Sequence, residues 1–230
     1  MWLAVVEKAK EFEALSAVFL KEDKKAFVKS DTPFGAPILM ADSDESKPYP
    51  SFVLLDRAWP ENGEALVWCY KNLQVDAFVS TGVVEVLTSA ALETAEDCVY
   101  FPQNCLRSEC NLDLLSGPLL YEEFRFDIKI QSELGALLAA SPKVYMTSEK
   151  NIFSTTKVLE NRKLKKLIQD DLNCFGMDDF TGELSSFCKG LNIPYGCLKV
   201  SSHIKKNAVS TLSRVWFDLF SAKAQGAFQK

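Results

Sequence analysis

Histidine is nearly missing from this chain: 230 residues contain a single one, His203. A histidine pair in catalysis and a histidine-rich metal site are thereby excluded. Cationic excess is missing too. Lys and Arg number 26 against 31 Asp and Glu, a net charge of -5, whereas a broad nucleic-acid footprint needs a basic surface. No apolar run approaches the ~20 residues of a membrane-spanning helix. The start, Met1 to Val6, reaches acidic Glu7 without a basic leader, so a soluble, cytoplasmic chain with no membrane or nucleic-acid partner is expected. No G-x-G-x-x-G follows the first apolar run and no P-loop lysine motif occurs, which leaves little support for a Rossmann-like or flavodoxin-like nucleotide domain. The seven cysteines are odd in number and irregularly spaced, and several sit in apolar runs, as reduced buried thiols do. Cys105 and Cys110 bracket a short polar stretch, but no second pair completes a zinc set, so no metal is expected.

What is present is an ordinary globular composition, 47% hydrophobic and 25% charged, in a length that suits one domain over residues 1–230. Short, continuously apolar runs read as strands: Trp2–Val6, Lys25–Val28, Pro37–Met40, Ser51–Leu55, Val75–Gly82, Asp97–Phe101, Lys143–Thr147 and Tyr195–Val200. Between them, Phe12, Leu15 and Phe19 recur at helical spacing. So do Ala65, Cys69 and Leu73, then Leu164, Leu167 and Ile168 beside Val158, then Phe180, Leu184, Phe187 and Leu191. A closing helix carries Val209, Leu212, Val215, Trp216, Leu219 and Phe220. Residues 41–50 and 102–118 read as loops, and the basic cluster Arg162 to Lys166 as a solvated helix face. Strands alternating with helices predict an α/β fold: a three-layer α/β/α sandwich around a mostly parallel mixed sheet.

The most informative stretch is the last. A helix runs into Asn192-Ile193-Pro194-Tyr195, then an apolar strand closes on Ser201-Ser202-His203. Polar residues at the carboxyl end of such a strand occupy the edge where open α/β sheets bind ligands. The same residues suit a structural histidine.

The order of these pieces resembles the nucleoside phosphorylase/nucleosidase superfamily, in particular methylthioadenosine/S-adenosylhomocysteine nucleosidase and futalosine hydrolase. The likeness runs along nearly the whole chain as element order and short patches. It implies water-driven cleavage of a purine nucleoside's N-glycosidic bond without a cofactor, and a homodimer. Futalosine as substrate would place the protein in menaquinone biosynthesis. In Ala9-Lys10-Glu11-Phe12-Glu13, the resemblance implies Glu13 as the general base, with Glu11 in its place if the register slips. Val75 to Gly82 matches the strand that ends in Thr-Gly, with Gly82 beside the sugar. Members continue in a glycine-bearing turn, where this chain has Val83-Val84-Glu85. That change alters the ribose and 5′ sides, and a carboxylate there would repel phosphate. Ile152 and Phe153 match a patch that frames the purine; Phe153 either stacks on the base or fills the core. Met177-Asp178 or the adjoining Asp179 matches a Met-Glu pair that holds the ribose, and either carboxylate is also a plain helix cap. His203, preceded by Ser202, stands where members carry the aspartate that protonates the leaving purine. Such a site requires Glu13, Asp178 or Asp179, and His203 to converge. A relative that keeps the fold for binding a nucleoside or a protein is the alternative.

Overall fold

Five apolar residues make β1 (Trp2–Val6), and four of them are buried, as in a parallel strand covered on both faces. The computed structural model describes residues 1–22, 26–41, 50–87, 98–109, 119–140, 146–148, 150–157, 159–201 and 205–224. In it β1 pairs in parallel with β4 (Ser51–Leu54) on one side and β5 (Ala77–Val83) on the other. Beyond β5 lies β13 (Tyr195–Ser201), also parallel. An antiparallel hairpin, β2 (Phe27–Asp31) and β3 (Pro37–Ala41), extends the sheet past β4. At the other edge β7 (Cys98–Tyr100) runs antiparallel to β13 and parallel to β10 (Met146–Ser148). The strand order is β10-β7-β13-β5-β1-β4-β3-β2.

Five further strands form a second sheet: β6 (Glu85–Val86), β12 (Cys174–Asp178), β11 (Asn151–Ser154), β8 (Asn104–Arg107) and β9 (Glu122–Arg125), in that order. Gly176 on β12 permits the close approach of β6, because a Cβ there would stand 2.6 Å from the Glu85 carbonyl oxygen.

Side chains alternate across the large sheet, which splits the core in two. Ala4, Val6, Val79, Leu198 and Val200 pack with α1 (Ala9–Glu22), α3 (Ile128–Ala139) and α6 (Lys205–Ala224). Leu3, Val5, Phe78, Tyr195 and Cys197 face the other way, towards α2 (Glu61–Asn72), α5 (Thr181–Leu191) and the inner side of the second sheet. α4 (Arg162–Asp170) contributes Ile168 to a third cluster, with Leu106, Phe153 and Met177 of the second sheet. Trp216 of α6 is fully buried, and its indole N–H donates to Thr81 Oγ1 over 2.7 Å. That bond satisfies the one polar group of the largest core side chain and fixes the outer face of β5 next to Gly82.

The α/β layering agrees with the sequence expectation. The division into two sheets adds to it. The expected loop at 102–118 contains β8, and β9 and α3 lie where no element is expected. Asp127 starts α3 by accepting from the N–H groups of Lys129 and Ile130 at 2.9 and 3.1 Å, an N-cap that satisfies otherwise orphaned donors. The loop expected at 41–50 falls mostly outside the described residues, as does most of the Lys143–Thr147 strand. No helix among the described residues is long and apolar enough to cross a membrane.

Candidate functional site

The chain leaving β1 turns towards β4, while the chain leaving β5 turns to the opposite side of the sheet. The carboxyl ends of β1 and β5 therefore flank a topological switch point, where open α/β sheets hold their ligands. Glu7 follows β1 directly, Gly82 and Val83 end β5, and Glu11 lies in the first turn of α1.

Glu11 is 3% exposed. Its Oε1 accepts from the Val83 N–H at 3.2 Å, while Oε2 is buried with no hydrogen-bond partner. Burial pushes the carboxyl above its usual range, opposed by the Lys199 ammonium and the Val83 N–H. Gly82 gives it room. A Cβ at that residue would stand 2.7 Å from Glu11 Oε2, at a backbone φ of +156°. An unpartnered, buried carboxylate oxygen is costly to leave, and it is ready to accept a proton or a donor from a bound molecule.

Beside it lies a closed polar chain. Lys199, on β13 opposite Gly82 in register, is 2% exposed and donates to Asp178 Oδ2 at 2.8 Å. Asp178, at the end of β12, also accepts from the Thr181 N–H at 3.1 Å and from the Thr181 hydroxyl. Because that hydroxyl donates to Asp178, its 2.9 Å contact with Ser80 Oγ runs with Ser80 as donor. Burial alone would raise Asp178, but the Lys199 ammonium and the Thr181 donors hold it below the carboxylate range. Burial would lower Lys199, and Asp178 overrides it upward. Ser154 of β11 accepts from the Gly182 N–H at 2.8 Å and so anchors the start of α5.

Glu7 completes the cluster. It is partly buried, and burial, with the carboxyls of Asp179 and Asp178 adding to it and the Lys199 ammonium opposing, pushes it up to about 8. Among the described residues, no group of three or more His, Cys, Asp or Glu is arranged to hold a metal ion.

Several sequence expectations change here. Glu13 does not converge on the site. Its carboxylate is 62% exposed and pairs with Lys29 at 2.8 and 2.9 Å. The buried arc of α1 runs through residues 11, 12, 15, 16 and 19, and position 13 falls outside it, so helical register brings Glu11 inward instead. Phe153 is fully buried on the α4 side of the second sheet, so it is core and presents no face to a base. Ile152 points the opposite way, into the core between the sheets. Glu85 is 65% exposed and pairs with Lys165 at 3.3 Å, away from the cluster. Gly82 and Asp178 stand at the site. Asp179 is exposed in the turn between β12 and α5. Ser202 and His203 lie outside the described residues, as does Cys110. The six described cysteines are buried and free.

Sequence reasoning missed Glu7, Lys199, Thr181 and Ser80. Lys199 carried a usable signal: a lysine inside the apolar run Tyr195–Val200 has to find a buried partner, because lysine is almost never fully buried unpaired.

No protein-family model matches the chain, and no curated protein matches it. Solved structures do. Futalosine hydrolase of Helicobacter pylori superposes with a TM-score of 0.69 at 9% identity, over 96% of this chain and 97% of that one. The 5'-methylthioadenosine/S-adenosyl homocysteine nucleosidase of Campylobacter jejuni gives 0.69 at 11% identity, over 97% of each chain. A putative methylthioadenosine nucleosidase from Weissella paramesenteroides gives 0.68 at 10% identity, over 97% and 98%. At these identities the likeness is one of architecture, and it shows that the chain has the nucleoside phosphorylase/nucleosidase fold.

Proposed function

We propose that this protein hydrolyses the N-glycosidic bond of a purine nucleoside. The observation that carries the reading is Glu11: a buried carboxylate with one unpartnered oxygen, at the switch point of a fold shared with nucleosidases. Glu11 takes the proton of the attacking water, the role that the sequence resemblance implied for Glu13. Burial raises its affinity for protons, which strengthens it as a base. Asp178, held ionised by Lys199, supplies negative charge close to the sugar, where an oxocarbenium-like transition state develops positive charge. His203 protonates the departing base. Substrates of the futalosine or methylthioadenosine/S-adenosylhomocysteine type fit, and futalosine would connect the protein to menaquinone synthesis. The working unit is a single domain over residues 1–230, a cytoplasmic homodimer that needs no cofactor and binds neither nucleic acid nor membrane.

One observation favours a second reading, a catalytically degenerate relative that binds a nucleoside or a protein partner. Both oxygens of Asp178 are already engaged by Lys199 and Thr181, which leaves the carboxylate little capacity for a sugar hydroxyl. The test is to incubate the pure protein with futalosine, methylthioadenosine, S-adenosylhomocysteine and inosine and to separate any free base by chromatography. Release of base that Glu11→Gln abolishes supports hydrolysis. No base from any of the four favours the degenerate relative.

A further inference from the structure

The second sheet ends at β9: among the described residues no strand lies beyond it. Its inner edge is paired. In the β8–β9 register Asn104 stands opposite Arg125, and the Phe126 N–H donates to the Gln103 carbonyl at 3.0 Å. Hydrogen-bonded and non-hydrogen-bonded pairs alternate along an antiparallel ladder. Residues 122, 124 and 126 therefore aim their backbone groups at β8, and Glu123 and Arg125 aim theirs outward. The side chains sort in the same way. Phe124 and Phe126 are buried, whereas Glu123 and Arg125 are exposed and meet at 3.6 Å. Apolar groups flank this edge: Leu120 and Tyr121 lead into it and Ile128 follows it, at 65%, 44% and 83% exposure. Two clefts, of about 650 and 770 Å³, are both lined by Glu123 and Arg125.

An open strand edge with apolar neighbours is a template for another strand, and the charges on this one select which. Turned about a two-fold axis through Phe124, β9 meets a second copy of itself antiparallel, with Glu123 of each copy opposite Arg125 of the other. These are the two residues whose backbone groups point outward, so each such pair exchanges both of its N–H···O bonds. Each also sets unlike charges side by side, which a sheet favours. The same axis carries Leu120 of one copy towards Ile128 of the other. Moving the axis by one residue centres it on Glu123 or on Arg125 and sets like charges against each other, which is destabilising. Such self-complementarity is what a two-fold interface requires, since residue i meets j and j meets i. We infer that β9 is a dimer edge, through which two copies of this chain join their second sheets into one continuous sheet, with Leu120, Tyr121 and Ile128 as its apolar margin. The inference rests on the homodimer reading given above and names the surface that makes it.

Sedimentation velocity of the full chain over a concentration series gives the dimer Kd, and backbone amide exchange locates the surface. Wild type is expected to dimerise, with the Glu123 and Arg125 amides more protected as concentration rises. Glu123→Arg sets arginine against arginine twice in each dimer and should raise the Kd by at least about fivefold; Arg125→Glu should do the same. Combining the two substitutions inverts both charges, restores the match and should return the Kd to near the wild-type value. A general effect of net charge would instead move the two single variants in opposite directions, and that result overturns the pairing. A dimer whose Kd none of the three variants changes, with the amides of 123 and 125 unprotected, overturns the β9 surface and leaves the homodimer reading standing. A wild type that stays monomeric throughout the series overturns both.

Discussion

The Lys199–Asp178 pair is where a single substitution should cost most. Both side chains are nearly sealed from water, at 2% and 4% exposure, and their 2.8 Å contact joins the two sheets. Lys199→Met keeps the length of the stem and removes the charge. It leaves Asp178 buried with only the Thr181 donors, and breaking a buried pair in this way costs about 3–5 kcal/mol. Against a total stability of about 5–15 kcal/mol, that is a large fraction, and it corresponds to a fall in Tm of roughly 6–20 °C for a chain of this size. The pH dependence should also invert. In the wild type Asp178 is held below its ordinary value of 3.8, so its stabilising effect is present above that pH and is lost as pH falls through the folded value. In Lys199→Met burial is unopposed and the folded value rises. The variant's deficit should then be smaller at pH 5 than at pH 8, because the stranded carboxyl can protonate. Glu7 and Glu11 lose the same counter-charge and push in the same direction. Urea unfolding of wild type, Lys199→Met, Asp178→Asn and the double variant closes a thermodynamic cycle. The double variant should be less destabilised than the sum of the single ones, because no charge is left stranded. A Lys199→Met cost below about 1 kcal/mol, the range of an exposed pair, would refute the reasoning, as would strict additivity.

Other substitutions separate the two helix carboxylates. Glu11→Gln should lower base release by about 10²–10⁴-fold, the usual worth of a general base. It should also raise stability at pH 7 by about 1 kcal/mol, because a buried group without a full set of partners loses its charge; a loss of stability on urea unfolding would contradict this. Gly82→Ala sets a Cβ 2.7 Å from Glu11 Oε2. The carboxylate must swing off the Val83 N–H, for a cost of about 1–3 kcal/mol and reduced activity, measured by thermal unfolding and the base-release assay. Glu13→Gln removes an exposed ion pair with Lys29 and should change stability by no more than about 1 kcal/mol with activity intact. An activity collapse in Glu13→Gln would return the base role to that residue.

Much of the architecture is legible in the sequence because its signals are local. β1 is an unbroken apolar run, β5 and β13 are largely apolar, and α1, α5 and α6 repeat their apolar residues every three to four positions. The second sheet is not legible for a physical reason. β8 and β9 are four residues each, with polar neighbours, and they exist because β11 and the α5 side of the core cover them. α3 begins at Asp127, whose cap is an ordinary aspartate until its two backbone donors are known. The site was half legible. Asp178 and Gly82 stand out as punctuation at strand ends. Glu11 and Glu13 differ by two residues in one helix, and choosing between them takes the buried arc of α1, not the composition of the motif. Glu7 and Lys199 become functional candidates only when β1, β12 and β13 are brought to one edge.

Charge at that edge also bears on what attacks the sugar. The sequence suggested that Glu85 would repel phosphate, but Glu85 faces outward against Lys165. The repulsion comes instead from the cluster itself. Glu11 is buried at the switch point, Asp178 is held ionised by Lys199, and Glu7 becomes a further anion above pH 8. An incoming dianion would meet the buried Glu11 and the ionised Asp178 where charges are poorly screened, while Lys199 is already paired with Asp178 and Lys8 lies out in solvent. Water meets no such barrier and finds an unpartnered acceptor in Glu11 Oε2. Within the proposed reading, hydrolysis therefore outcompetes phosphorolysis on electrostatic grounds, and base release should be indifferent to added phosphate. Acceleration by millimolar phosphate, with ribose 1-phosphate-type product in place of the free sugar, would overturn that conclusion.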